Sequence, residues 1–301
     1  MEAQQARQGI FYALGAYFIW GIAPAYFKLL QQVAPGEIMT HRVIWSFFFM
    51  LILLSLTRNW HKVKVTLKQP GKVLLLAVSA ILICSNWLIF IWAVNNHHML
   101  EASLGYFINP LLNVLVGMVC LGERFRRLQW LAVALAACGV LVQLWKFGSV
   151  PVIALGLAVT FSLYGLLRKK IAVDAQTGML LETSWLLPFA ALYLFGFADS
   201  STSHLSQNAW SLNLLLIAAG VVTTIPLILF TSACARLRLS TVGFFQYLGP
   251  TLMFLLAVIF YGESMTPDKT VTFSFIWAAL ALFIVDAFWA LRRVGTQVSP
   301  A

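Results

Sequence analysis

Charge is what this sequence has least of. Only 10% of its 301 residues are Asp, Glu, Lys or Arg, against roughly 25% in a soluble domain. Hydrophobic residues make up 61%, and mean hydropathy is +0.86. A soluble fold of this length has no core large enough for that much apolar surface, so the bilayer serves as solvent for most of the chain. Acidic residues are the scarcest class, with 10 Asp and Glu against 20 Lys and Arg and a net charge of +10. The bases sit in short clusters between apolar runs, the pattern of loops on the cytoplasmic face of a membrane protein, and there is no soluble basic domain to hold nucleic acid. The four cysteines, Cys84, Cys120, Cys138 and Cys234, form no Cys-x-x-Cys pair and lie in or at the ends of apolar segments. They read as packing residues rather than zinc ligands or disulfides.

Several catalytic signatures are also missing. The absence of G-x-x-x-x-G-K-[ST] excludes a self-contained P-loop ATPase subunit. No H-E-x-x-H, no G-x-S-x-G and no carboxylate dyad is present. His97 and His98 are adjacent, beside Glu101, and adjacent side chains do not converge on one metal as i, i+4 pairs do. The expectation is a non-enzyme without metal or cofactor.

What is present is a succession of apolar runs near the roughly 20 residues that a spanning helix needs. Ten are placed near 10–30, 38–57, 73–95, 100–121, 128–146, 150–167, 178–197, 211–233, 240–261 and 273–291. The first follows Arg7 and is too long for a signal-peptide core, so it reads as a retained helix. With the N-terminus inside, 16 of the 20 Lys and Arg fall in inner segments, among them Arg58–Lys72, Arg124–Arg127 and Arg168–Lys170. That bias predicts two cytoplasmic termini.

A repeat runs through the chain. Pro110 precedes Gly122-Glu123 by twelve residues, and Pro250 precedes Gly262-Glu263 by the same interval, 140 residues on. A weaker match aligns Gly15–Lys28 with Gly156–Lys169. The division predicted is residues 1–147 and 148–301, each with five helices. An odd number inverts the second copy, and inverted repeats are a mark of secondary transporters whose substrate sits at the repeat interface near mid-membrane.

Ionisable residues inside the membrane are functional candidates. Arg42 and its neighbour His41 lie a turn or so into the second helix, and Glu182 occupies the corresponding place in the seventh. The repeat puts Arg42 and Glu182 at opposite faces, too far apart to pair. Two readings stand for them: a polar path or gate on each side, or snorkelling to headgroups. Asp286 reads as one half of a structural ion pair near the inner face. Glu123 and Glu263 read as carboxylates that satisfy free amides at helix starts. Pro110 and Pro250 predict kinks that free carbonyls in the preceding turn. Around them Tyr106, Asn109, Asn113, Gln246 and Tyr247, with Asn86 and Trp87, are the candidate substrate-binding residues. Trp20 and Trp45 are further candidates for its lining. The competing reading is that the amides bond between helices and Gly and Pro permit close packing.

At these residues the sequence resembles the RarD family, in the EamA group of the drug/metabolite transporter superfamily. The stretches that carry the resemblance are YFIWGIAPAYFK from Tyr17, THRVIWSFFF from Thr40, NWLIFIWAVNNHHMLEASLGYFINP from Asn86, LGERFRR from Leu121, RKKIAV from Arg168 and LSTVGFFQYLGP from Leu239. It covers essentially the whole chain. It implies ten helices, two EamA repeats, a bacterial inner-membrane location, and transport associated with chloramphenicol sensitivity; it brings no set of binding residues. The expectation is therefore an all-α polytopic protein, a permease moving a small amphipathic solute by alternating access. A non-transporting sensor or scaffold is the alternative, followed by an intramembrane enzyme. Expected partners are a small-molecule substrate and the lipid bilayer, with a homodimer as a candidate assembly.

Overall fold

The computed structural model describes residues 2–96, 98–198, 202, 205–260 and 267–296. Among these the chain is helical throughout its regular structure: α1 (Glu2–Lys28), α2 (Pro35–Thr57), α3 (Trp60–Leu67), α4 (Pro70–Asn95), α5 (Met99–Leu121), α6 (Arg127–Phe147), α7 (Val152–Ile171), α8 (Ala175–Gly196), α9 (Trp210–Arg236), α10 (Leu239–Gln246), α11 (Leu248–Phe260) and α12 (Pro267–Thr296). Ten spans are long and apolar enough to cross a bilayer, with α10 and α11 together forming the ninth. His97, Gly262 and Glu263 lie outside the described residues.

The spans agree with the apolar runs, and the differences have local causes. The first helix starts eight residues early, because Gln4, Gln5 and Arg7 extend its first two turns as good helix formers beyond the apolar stretch. The basic connection after α2 holds an unforeseen short helix, α3, that buries Val63 and Thr66. Arg58 and Gly122 close α2 and α5 in left-handed caps. Glycine takes that conformation without strain.

The end of the bundle where α1 begins is called here the terminal end. Each spanning helix reverses direction, so α4 ends, and α5 and α7 begin, at the far end. α1 packs on α9 and α4 on α7; α5 packs on α7, and α1 on α10 and α11; α2 faces α8, α6 faces α12, and α5 crosses α10. Two of these crossings depend on glycine. A Cβ at Gly220 would lie 2.5 Å from Trp45 C and 2.6 Å from Ser46 N, and at Gly243 it would lie 2.9 Å from Pro110 O. Backbone approaches this closely only where a side chain is absent, as is common between membrane helices.

The outward faces are apolar. Trp145, Phe195 and Trp210 are 91%, 85% and 81% exposed, and all three lie at the far end of the bundle. Aromatic side chains at such a level match a belt at the lipid headgroups. Toward the terminal end the interior is closed by a cluster containing Tyr17, Met50, Leu54, Tyr164, Phe230, Cys234 and Leu239.

Gly220→Leu should lower stability by about 1–3 kcal/mol, the usual cost of overpacking, because the obstacle is the α2 backbone. Thermal unfolding of purified protein in detergent checks this. Gly71→Ala, with nothing within 4 Å of the added carbon, should leave the midpoint unchanged.

Candidate functional site

A cavity of about 480 Å³ lies between the helices, from mid-depth into the far half. Its wall comes from α1 (Tyr17, Trp20, Phe27), α2 (Arg42), α4 (Asn86, Trp87, Phe90), α5 (Tyr106, Asn109), α7 (Phe161), α9 (Thr223) and the α10–α11 junction (Gln246, Pro250). Most of that wall is aromatic or aliphatic.

The junction exists because the ninth span breaks at Tyr247. Pro250 has no amide hydrogen, so the turn before it loses a backbone bond, and Gly249 before it relaxes the backbone. α11 therefore starts afresh at Leu248. The fourth span differs: α5 continues through Pro110 as one helix, whereas the ninth is divided into α10 and α11 near Pro250. Pro250 lines the cavity, whereas Pro110 lies behind it against Gly243.

Three amides face the cavity, and their hydrogen bonds decide which atoms remain for a ligand. Asn86 Nδ2 donates to Leu157 O at 2.8 Å and Thr160 Oγ1 at 2.9 Å, so its Oδ1 is left as an acceptor. Asn113 Nδ2 donates to Asn109 Oδ1 at 3.0 Å and to Gln246 Oε1 at 3.1 Å, and Ser162 also donates to Asn109 Oδ1. The Nδ2 group of Asn109 and the Nε2 group of Gln246 are left as donors. Asn113 is fully buried and holds the other two in orientation rather than joining the wall. Tyr247 also lies outside it: the ring is buried, packs against Phe244, and donates from its hydroxyl to Phe107 O at 3.2 Å. Of the seven candidate binding residues, Tyr106, Asn109, Gln246, Asn86 and Trp87 line the cavity. Trp20 lines it as well. Trp45 lies outside, donating to His41 Nδ1 at 3.2 Å, and His41 is buried beside it.

Arg42 is the one charged side chain in the wall. Its Nε donates to Thr223 Oγ1 at 2.8 Å, and its guanidinium lies 4.4 Å from the Trp87 ring centre and 5.4 Å from that of Phe27. Thr223 and the rings of Phe27, Phe90 and Phe161 were not foreseen. Each is a common residue in an apolar run, and nothing local in the sequence separates a cavity-facing one from its neighbours.

Glu182 is in a different place. It is 2% exposed and lies on the terminal side of the cavity, where Ser79 donates to it at 2.5 Å and Tyr164 at 3.4 Å. Arg168 Nη1 stands 3.4 Å from its Oε1, with both side chains buried. Arg168 was counted with the loop bases after the sixth span; it turns inward instead, because the pair compensates its charge and Gly178 leaves the volume its guanidinium fills. Lys169 and Lys170, its neighbours, disguise this in the sequence. Asp286 is paired with Arg126, with contacts of 3.0 and 2.5 Å.

Two further carboxylates join distant helices. Glu101, at the start of α5, accepts from Ile153 N of α7 at 2.7 Å. Glu123, just past the other end of α5, accepts from Leu239 N and Ser240 N of α10 at 2.7 and 3.1 Å. Each satisfies free amides and the positive end of a helix. Among the described residues no cluster of His, Cys, Asp and Glu could hold a metal.

Residues 7–145 match the EamA-like transporter family. Protein RarD of Salmonella typhimurium is 72% identical over 293 residues, which span 97% of this chain and all of that one. This chain belongs to the RarD group of EamA-like transporters. Within that group the Chloramphenicol-sensitive protein RarD of Pseudomonas aeruginosa is 33% identical, over 95% of this chain and 96% of its own length. A solved crystal structure of 20% identity superposes with a TM-score of 0.69, covering 91% of this chain and 96% of the other, and shares the fold. For a RarD chain, the family and the ten apolar spans together make this a multi-pass membrane protein with a transporter's architecture.

Glu182→Ala should destabilise the protein by about 3–5 kcal/mol, since it leaves Arg168 buried and uncompensated. Replacing Arg168 and Glu182 together by Met should recover most of that loss. A double-mutant comparison of unfolding midpoints in detergent measures both.

Proposed function

We propose that the chain is a bacterial inner-membrane permease that carries a small amphipathic solute by alternating access, with the cavity as its transport site. The observation that carries the reading is a cavity of small-molecule size at membrane depth, walled by helices from both ends of the sequence, in a chain of a transporter family. Volumes of roughly 300–1,000 Å³ are usual for sites that enclose a small ligand.

In this reading residues 1–147 and 148–301 are inverted repeats with both termini in the cytoplasm. The reciprocal pairing of α1 with α9 and of α7 with α4 supports the repeat, and the Lys and Arg bias supports the orientation. The cavity is then open toward the outer half and closed on the cytoplasmic side by the cluster around Tyr164 and Phe230. Alternation would loosen that cluster while the outer helices approach. The aromatic wall and the three amides suit a solute with an apolar ring and a few polar groups. Chloramphenicol is such a solute, and the name of the Pseudomonas aeruginosa relative makes it the first candidate.

Cells carrying the gene should differ from cells lacking it in steady-state content of labelled chloramphenicol. Higher content signifies import and lower content export. Loss of the difference on collapsing the proton gradient signifies coupling to it, to be repeated with purified protein in vesicles. Equal content in both strains removes chloramphenicol as substrate, and equal content across a broad metabolite panel overturns the permease reading.

A further inference from the structure

We infer that the cavity selects monoanions, a carboxylate joined to an aromatic or branched apolar body, and that Arg42 is the residue that binds the carboxylate. The inference rests on the reading of the cavity as the transport site but not on chloramphenicol, which is neutral and would be a secondary substrate; it adds the charge of the preferred one.

Arg42 carries an uncompensated charge in a largely apolar wall. Its Nε is committed to Thr223, and its flat face is covered by Trp87 and Phe27. Among the described residues neither Nη1 nor Nη2 has a protein acceptor, and no carboxylate pairs with the side chain. The contrast with the other membrane-embedded arginine is direct, because Arg168 has Glu182 at 3.4 Å. A guanidinium left without a counter-charge at membrane depth is costly unless a ligand supplies it. The planar fork of Nη1 and Nη2 matches the two oxygens of a carboxylate.

The count of charges fixes the valence. One cation in the wall balances one negative charge. A phosphate or phosphonate dianion would leave a net charge enclosed by Trp20, Phe27, Trp87, Phe90 and Phe161, which such a wall does not compensate. The donors left on Asn109 and Gln246 and the acceptor left on Asn86 serve further polar groups of the ligand, and the rings accept its apolar body by stacking.

The test is isothermal titration of purified full-length protein with three probes of one shape: 3-phenylpropionate, its neutral amide and 2-phenylethylphosphonate. The carboxylate should bind tighter than the amide by roughly tenfold or more, the worth of one charged hydrogen-bonded pair, and tighter than the phosphonate. Arg42→Gln should abolish the preference over the amide, and Arg42→Lys should retain part of it. Equal binding of carboxylate and amide by the wild-type protein overturns the inference without any variant, as does tighter phosphonate binding or a preference that survives Arg42→Gln. Flux into vesicles is measured alongside. Transport of chloramphenicol with no carboxylate preference leaves the permease standing and removes the anion site. A carboxylate preference with no flux of any solute, 3-phenylpropionate included, retains the site and removes the permease.

Discussion

Everything in this molecule follows from the backbone's need for internal hydrogen bonds where lipid offers none. An unpaired amide or carbonyl in hydrocarbon costs several kcal/mol, so the chain crosses as helices and confines its one described break within a span to a buried position. That break, at Tyr247, lies between a fully buried ring and the cavity. The same constraint governs side chains. Asn113 uses its amide to satisfy Asn109 and Gln246 together, so three polar residues enter an apolar interior as a bonded set. The unused amide donors of Asn109 and Gln246 are thereby directed to one space, and the packing network becomes the polar part of a site.

Charge is managed in the same way, with different results at two depths. Arg168 and Glu182 neutralise each other in a closed region, with Ser79 and Tyr164 bonded to the carboxylate. This arrangement ties α4, α7 and α8 together on the terminal side. Arg42, at the position corresponding to Glu182 in the 140-residue offset, faces open volume and aromatic rings instead. Of two positions 140 residues apart, one is locked in an ion pair and the other lines the cavity.

Fold was legible because it depends on composition and run length, which are properties of windows rather than of single residues. The ten spans could be counted directly, and the amides near Pro110 and Pro250 could be singled out because polar groups are rare in such runs. Two kinds of detail were hidden. Arg168 belongs to a triplet of bases in the last turn of α7, and its pairing with Glu182 and packing against Gly178, which set it apart, depend on residues of α8 rather than on that turn. The aromatic wall was hidden for the opposite reason. With 14% aromatic residues, a ring facing the cavity and a ring facing lipid look alike in sequence. Tyr247, polar and beside a helix break, looks in sequence like its neighbour Gln246, yet Gln246 lines the cavity and Tyr247 does not. One residue of helical rotation sends the Tyr247 hydroxyl to Phe107 instead.

The two carboxylates that flank α5 have a mechanical consequence. Glu101 fastens one end of that helix to the start of α7, and Glu123 fastens the other end to the start of α10. α5 also packs on α7 and α10 far more extensively than on α4 or α6, its neighbours in sequence. Tilting α5 against those two partners would strip a cap from a helix at one surface or the other, whereas tilting all three as a block disturbs neither. The block of α5, α7 and α10 thus draws its helices from both sides of the middle of the sequence, so its strongest ties run across that midpoint rather than stopping at it.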